Sequence, residues 1–120
     1  MRLGDLERAV MNELWARPGG GVLARDLTEA LPSQPAVTTV LTILDRLVRK
    51  GLVTREREGR AHRYYALHSK EAHVAETMNE ALATADDRES ALTHFLGAVS
   101  PDDVAALRRI LESAPDPDVA

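Results

Sequence analysis

The fold is decided by residues 36–66, which read AVTTVLTILDRLVRKGLVTREREGRAHRYYA. In the first half of this stretch, apolar side chains recur three and four residues apart, which predicts an amphipathic helix over Ala36–Lys50. Gly51 follows Arg49 and Lys50, and a glycine after basic residues is typical of the carboxyl end of a helix. The apolar positions expected on the inner face are Val37, Val40, Leu41, Leu44, Leu47 and Val48.

The second half of the same stretch predicts a β-hairpin. Leu52–Glu56 is expected to form one strand and Ala61–Ala66 its partner, with Gly59 in the turn. Because the tip of this hairpin is charged, we expect it to project into solvent or onto a binding partner.

Basic residues are concentrated in this region. Residues 46–63 contain seven Lys and Arg against Glu56 and Glu58, a net charge of +5. Such a density of positive charge is typical of contact with a polyanion. Charge alone, however, favours a solvated surface without a partner, because most basic stretches are simply solvated. Residues 71–120 carry three basic and eleven acidic residues, and the whole chain has a net charge of -4. That overall acidity argues against a nucleic-acid binder without sequence preference.

Helices are predicted on both sides of this stretch. The first contains Leu6, Ala9, Val10 and Leu14, begins after a cap at Gly4 or Asp5, and ends at Arg17-Pro18. A short extended piece at Val22 precedes a second helix over Ala24–Leu31. Three further helices follow the hairpin, and Ser100-Pro101 is a strong signal for the start of the last one. Their apolar stripes are Val74, Met78, Ala81, Leu82 and Ala85; Leu92, Phe95, Leu96 and Val99; and Val104, Leu107, Ile110 and Leu111.

Three helices followed by a charged hairpin is the element order of a winged helix-turn-helix. The predicted fold is therefore mainly α with a small β-hairpin. We expect a winged-helix DNA-binding domain over residues 1–68, a helical dimerisation domain over 69–114, and a loose tail over 115–120.

The second helix of a helix-turn-helix enters the major groove, and here that helix is Ala36–Lys50. Its threonine hydroxyls are suited to bases or phosphates, the threonine methyl suits a thymine methyl, and its arginines are suited to guanine edges or the DNA backbone. Arginines of the hairpin are expected to neutralise phosphates or to enter a minor groove. Taken singly, each of these residues is an ordinary surface residue, and only their combination indicates DNA. The candidate DNA-binding residues are Thr38, Thr39, Thr42, Arg46, Arg49, Lys50, Arg55, Arg57, Arg60 and Arg63.

The three carboxyl-terminal helices are short and their apolar stripes are narrow, so they make a poor core alone. Pairing with a second copy would bury both stripes in a two-fold interface. The alternative is that they fold back on the winged helix as a monomer. The candidate dimerisation residues are Val74, Met78, Leu82, Leu92, Phe95, Leu96, Val99, Leu107 and Leu111.

Composition excludes several other classes of protein. The chain has 120 residues and no cysteine, which excludes disulfides, thiolate metal sites and cysteine nucleophiles. Acids near the amino terminus do not fit a signal peptide, and no apolar run is long enough to span a membrane, so we expect a cytoplasmic protein. We find no phosphate-binding loop and no nucleophile–base pair, and we expect neither an enzyme nor a cofactor.

Two other functions compete with DNA binding. One is a winged-helix adaptor that binds protein, which predicts little salt dependence and no need for the hairpin arginines. The other is a regulator that senses a ligand or a metal. His73 and Glu76 lie one turn apart on a predicted helix and could share a metal, but no third ligand is evident.

Three motifs resemble the penicillinase and methicillin-resistance repressors, the BlaI/MecI/CopY family. Residues 7–15, ERAVMNELW, resemble the first helix of that family. Residues 38–53, TTVLTILDRLVRKGLV, are similar to its recognition helix and first wing strand, and residues 63–67, RYYAL, to its second wing strand. The similarity extends from about Leu3 to about Leu111.

The resemblance implies a homodimeric repressor that binds palindromic operators with TACA/TGTA-type half-sites in double-stranded DNA. It also implies control of β-lactam resistance genes and release by a regulatory protease after a membrane sensor detects the antibiotic. The family is cut at an Asn-Phe bond in the fifth helix, and this chain has His94-Phe95 at that place. The copper-responsive branch uses a carboxyl-terminal cysteine motif, which this sequence lacks.

Overall fold

The computed structural model describes residues 3–113, which form six helices and three strands. The predicted tail over residues 115–120 and the end of the predicted dimerisation domain at Ala114 lie outside the described residues. In chain order the elements are α1 (Asp5–Trp15), β1 (Val22–Leu23), α2 (Ala24–Ala30), α3 (Val37–Arg49), β2 (Val53–Glu58), β3 (Ala61–Ala66), α4 (Lys70–Ala83), α5 (Arg88–Ala98) and α6 (Pro101–Ser113).

Side chains and backbone groups at the helix starts explain where several helices begin. Asp87 caps α5 by accepting a hydrogen bond from the backbone N–H of Ser90 at 3.1 Å. Ser100 does the same for the N–H of Asp103 at the start of α6, which confirms the predicted Ser-Pro start. Gly4 occupies the cap position of α1, and its N–H donates to the Glu7 carboxylate.

The strands form one antiparallel sheet in the order β1-β3-β2. The hairpin of β2 and β3 pairs Val53 with Ala66 at its base and Glu58 with Ala61 at its tip. The predicted extended piece at Val22 is a third strand, because Val22 and Leu23 pair with Tyr64 and Arg63 of β3. Strand β2 runs to Glu58 rather than to Glu56, so the turn is tighter than predicted.

The core lies under α3 and is built from all three amino-terminal helices and the sheet. Val10, Met11 and Leu14 of α1 confirm the predicted stripe of that helix. In α3 the buried residues are Val40, Ile43, Leu44 and Leu47. The expectation that Val37 and Leu41 are also buried is wrong. The spacing of the four buried residues places those two at the border of the inner face, where each is 41% exposed.

The described residues divide into two compact units, one that ends at Met78 and one that begins at Asn79. The predicted boundary between the DNA-binding and dimerisation domains follows His68, and the two compact units meet inside α4. The first turns of α4 belong to the amino-terminal unit, where the Trp15 ring lies 5.2 Å from the ring of His73. Among residues 70–113, no residue of α4, α5 or α6 is buried. No helix within residues 3–113 has the length and apolar character required to cross a membrane.

Candidate nucleic-acid interface

The outer side of α3 has two chemically different halves. Towards the amino end it carries Thr38, Thr39 and Thr42, all exposed, with Val37 and Leu41 beside them. Towards the carboxyl end it carries Asp45, Arg46 and Arg49. The hydroxyl of Thr42 donates to the backbone carbonyl of Thr38 at 3.0 Å, so its proton is already used within the helix.

Asp45 joins α3 to the wing, which we define as β2, β3 and the turn between them. Its Oδ2 lies 3.1 Å from Nη2 of Arg49, one turn along the helix. Its Oδ1 lies 3.8 Å from Nη1 of Arg55 in β2. Two candidate DNA-binding arginines are therefore held beside each other by one carboxylate, which the sequence analysis did not select.

Arg63 is fixed against the rest of the sheet. Its Nε donates to Glu58 Oε2 at 3.0 Å, and its Nη1 reaches the carbonyl of Gly21 at 3.4 Å. Gly21 has a φ of +65°, and a Cβ there would lie 2.6 Å from Cγ of Arg63 and from Cε1 of Tyr65. Glycine is required at this position by both the backbone conformation and the close approach of the wing.

The turn of the wing presents two further candidates. Nε of Arg57 donates to the carbonyl of Gly59 at 3.2 Å, which keeps this side chain along the turn. The side chain of Arg60 is exposed and makes no hydrogen bond or ion pair with any residue in the range 3–113. Its charge is therefore available to a partner.

Lys50 is bound within the protein. Its Nζ donates to Glu7 Oε2 at 2.8 Å, and both side chains are partly buried. This hydrogen bond, with a second one from the N–H of Gly4, lowers the pKa of Glu7, and the charges of Lys50 and Arg46 act in the same direction. Arg46 itself is exposed on α3.

The structure therefore brings Arg49 and Arg55 together through Asp45. It does not bring Arg63 or Lys50 to them, because Arg63 bonds to Glu58 and Gly21 and Lys50 bonds to Glu7. Sequence reasoning missed Glu7, Asp45 and Glu58 as partners. The four-residue spacing of Asp45 and Arg49 could have indicated their pair. Nothing in the sequence indicates the hydrogen bond between Glu7 and Lys50, because the two residues are 43 positions apart in the chain.

The candidate dimerisation residues have a common property, which is incomplete burial. Phe95 is 46% exposed and Leu111 76% exposed. Leu82 and Val99 are half-buried, and the other candidates are exposed: Val74, Met78, Leu92, Leu96 and Leu107. His94-Phe95 lies within the regular helix α5 and is exposed.

Trp15 lies between two cavities of the amino-terminal unit, one of about 600 Å³ and one of about 190 Å³. Its indole N–H donates to the carbonyl of His68 at 3.1 Å. The smaller cavity is lined by His73 and Glu76, the pair considered for a metal. Within the described part of the chain, no three His, Asp or Glu side chains gather as a metal site would require.

Comparison with known proteins places the chain in a family. Residues 3–113 match the family described as "Penicillinase repressor". The chain is 48% identical over 115 residues to "Transcriptional regulator BlaI" from Mycobacterium tuberculosis, strain CDC 1551 / Oshkosh. This match covers 92% of this chain and 83% of the relative.

Solved structures show the same fold at lower identity. A Staphylococcus aureus MepR–DNA complex matches with a TM-score of 0.54 and 19% identity, covering 82% of each chain. A MarR family protein from Bacillus stearothermophilus matches with a TM-score of 0.52 and 20% identity, covering 93% of this chain and 72% of that one. The predicted winged-helix fold is confirmed. With a family match over residues 3–113 and nearly half of its residues shared with a BlaI regulator, the chain belongs to the penicillinase repressor family and is a winged-helix transcriptional repressor.

Proposed function

We propose that the protein represses transcription as a homodimer that binds palindromic operators in double-stranded DNA. In this proposal α3 lies in the major groove and the wing contacts the adjoining backbone. The observation that carries it is that Asp45 joins Arg49 on the exposed side of α3 to Arg55 of the wing. A fold neighbour, MepR, was crystallised with DNA, which supports the same use of the winged helix here.

The proposed base contacts come from Thr38, Thr42 and Arg46, because these residues are exposed on α3. Phosphate contacts are assigned to Arg57 and Arg60 at the tip of the wing. Lys50 is assigned a supporting role, since its ammonium is held by Glu7 on the neighbouring helix. The acidic carboxyl-terminal half is expected to lie away from the duplex, because like charge repels the phosphates.

The dimer is proposed from the apolar side chains that α4, α5 and α6 leave exposed. Each of these helices has no buried residue in the single chain, although together they expose Met78, Leu92, Phe95, Leu96 and Ile110. Exposed large apolar side chains in this number are typical of a protein interface. A dimer that binds a palindrome through two α3 helices needs them about one turn of DNA, roughly 34 Å, apart.

Two finer points follow from family membership. We infer that the operator has half-sites of the TACA/TGTA type and that the regulated genes confer β-lactam resistance. We infer that the protein acts in the cytoplasm. Release by a regulatory protease would require cleavage at His94-Phe95, which lies on an exposed helix. Cleavage of a helical bond requires that α5 open locally, because proteases bind extended chain.

The test is selection from a random duplex DNA pool at two salt concentrations, together with sedimentation of the protein. Enrichment of an inverted repeat with half-sites about one turn apart is expected, with affinity falling as salt rises. Sedimentation should give twice the monomer mass, and Phe95→Ala or Leu96→Ala should reduce it. A protein that enriches no sequence at either salt, or sediments as a monomer at the concentrations that bind DNA, is not this repressor.

A further inference from the structure

We propose that Val37, Thr38, Leu41 and Thr42 of α3 form an apolar cluster that reads thymine methyl groups in the major groove. This inference rests on the proposed DNA binding and assigns the chemical feature of the half-site that the amino-terminal half of α3 recognises. Val37 and Leu41 were expected in the core and are instead each 41% exposed.

The first observation is that exposed large hydrophobic side chains are rare in the amino-terminal part of the protein. Among the described residues before α4, only Val37, Leu41 and Leu67 belong to this class. Two of the three lie on α3, four residues apart, and therefore on adjacent turns of one helix face. Core packing does not account for them, because Val40, Ile43, Leu44 and Leu47 already fill the inner face.

The second observation concerns the hydroxyl of Thr42. Its only proton is donated to the carbonyl of Thr38 at 3.0 Å. A threonine whose proton is used within the helix cannot donate it to a base without breaking that bond. The hydroxyl oxygen can still accept a hydrogen bond, and the methyl group of Thr42 is the apolar part of the exposed side chain that can contact a thymine methyl.

The positive charges near the apolar cluster of α3 indicate that its binding partner is duplex DNA rather than protein. The same helix carries Arg46 and Arg49 one to two turns further on, and Asp45 joins Arg49 to Arg55 of the wing. An apolar protein partner would have to accept these cations, whereas duplex DNA offers phosphates to them and methyl groups to the cluster. In the major groove the C5 methyl of thymine is the apolar group, and small apolar side chains contact it.

The test begins with the duplex selected in the experiment above, in which each thymine of a half-site is replaced singly by deoxyuridine. This change removes one methyl and keeps base pairing. Burial of one methyl-sized group is worth about fourfold in affinity, so at one or more positions the deoxyuridine duplex is expected to bind about fourfold more weakly. The selected duplex, which has thymine and its methyl at the same place, is the reference with full affinity.

A matched pair of substitutions assigns the effect to Thr42. Thr42→Ser removes the methyl and keeps the hydroxyl, while Thr42→Val keeps a methyl and removes the hydroxyl. We expect about fourfold weaker binding for Thr42→Ser and little change for Thr42→Val. On the deoxyuridine duplex the loss caused by Thr42→Ser should shrink, because the partner methyl is already gone. Thr77→Ser is the control, since Thr77 makes the same bond to the carbonyl of His73 at 3.0 Å, in α4.

Leu41→Ala extends the test to the neighbouring side chain and should also lose its effect on the deoxyuridine duplex. The inference is overturned if no thymine responds to deoxyuridine, or if Thr42→Val weakens binding and Thr42→Ser does not. Either result leaves the operator intact and the proposed function standing. Failure to enrich any duplex in the first step would instead remove the proposed function, and this inference with it.

Discussion

Nζ of Lys50 donates a hydrogen bond to Oε2 of Glu7 across 2.8 Å, which joins the carboxyl end of α3 to the first turn of α1. The other oxygen of the same carboxylate accepts from the N–H of Gly4 at 3.0 Å. One side chain thus caps α1 and positions the helix proposed to enter DNA. Lys50, a candidate DNA contact, therefore also holds α3 against α1.

Replacing this carboxylate should destabilise the fold. Glu7→Gln is expected to lower the free energy of unfolding by about 1 kcal/mol at neutral pH, because the ion pair is only partly exposed to solvent. Urea unfolding followed by circular dichroism measures the difference. Glu13→Gln is the matched control, since Glu13 pairs with Arg17 at 3.5 Å on a more exposed surface and should contribute little. Equal losses in the two variants would contradict a special role for Glu7.

The same pair predicts how stability depends on pH. Hydrogen bonds from Lys50 and Gly4 lower the pKa of Glu7 in the folded protein below its ordinary value of 4.5. A lowered carboxyl pKa contributes stability that is fully present above the pKa of the unfolded chain and is lost as pH falls through the folded pKa. The stability difference between the native protein and Glu7→Gln should therefore be constant above about pH 5.5 and shrink below pH 4.5. If the stability difference between the two proteins instead grew towards acid pH, the pKa of Glu7 would be raised rather than lowered by folding.

We expect Asp45 to increase the preference of the protein for its operator over unrelated DNA. The Asp45 carboxylate pairs with Arg49 and with Arg55 in the free protein, at 3.1 and 3.8 Å, and offsets part of their charge. Asp45→Asn should leave both arginines free to contact phosphates and raise the affinity for unrelated duplexes. The ratio of operator affinity to the affinity for unrelated DNA should therefore fall. Fluorescence anisotropy titrations with both duplexes measure this ratio. Asp86→Asn changes the net charge equally, on an exposed bend before α5, and should leave the ratio unaltered. The same rise in both variants would trace the effect to net charge alone.

The helices and the hairpin were predictable because their signals are local. In α3 the apolar spacing and Gly51 fix the element within one residue at each end, and Ser100-Pro101 fixes the start of α6. The face of α3 was less predictable. Its sequence has an apolar residue at Val37, Val40, Leu41, Ile43 and Leu44, and such a crowded pattern permits more than one inner face. Packing against α1 and the sheet selects the face centred on Val40 and Leu44.

Contacts between distant segments were the part that the sequence could not provide. The pairing of Val22 with Tyr64 makes a third strand from two residues, which is too short for any periodicity. Arg63 is a predicted DNA contact, and its hydrogen bonds to Glu58 and to the carbonyl of Gly21 could not be predicted from the sequence. These contacts depend on how β1 approaches β3, and only the folded chain specifies that approach.

Gly21 tests how closely β1 approaches the wing. Gly21→Ala places a Cβ 2.6 Å from Arg63 and Tyr65 at a φ of +65°, so steric conflict and backbone strain act together. We expect a loss of more than about 2 kcal/mol in the free energy of unfolding, with weaker DNA binding because Arg63 is displaced. Gly19→Ala has a similar φ of +79° but nothing within 4 Å of its Cβ, so it should show the backbone strain alone, about 1 kcal/mol. Equal urea midpoints for the two variants would mean that β1 lies further from the wing.

Substitutions of two of the wing arginines, Arg60 and Arg63, should distinguish a side chain that contacts DNA from one that stabilises the fold. Arg60 has no partner within residues 3–113, so Arg60→Ala should leave the urea midpoint unchanged and weaken operator and unrelated duplexes alike. If it contacts one phosphate, the slope of log affinity against log salt should fall by about 0.9. Arg63→Ala should instead lower the urea midpoint, because it removes the hydrogen bonds to Glu58 and to the Gly21 carbonyl. A change in sequence preference without a change in salt slope would assign Arg60 to a base edge, since phosphates carry no sequence information.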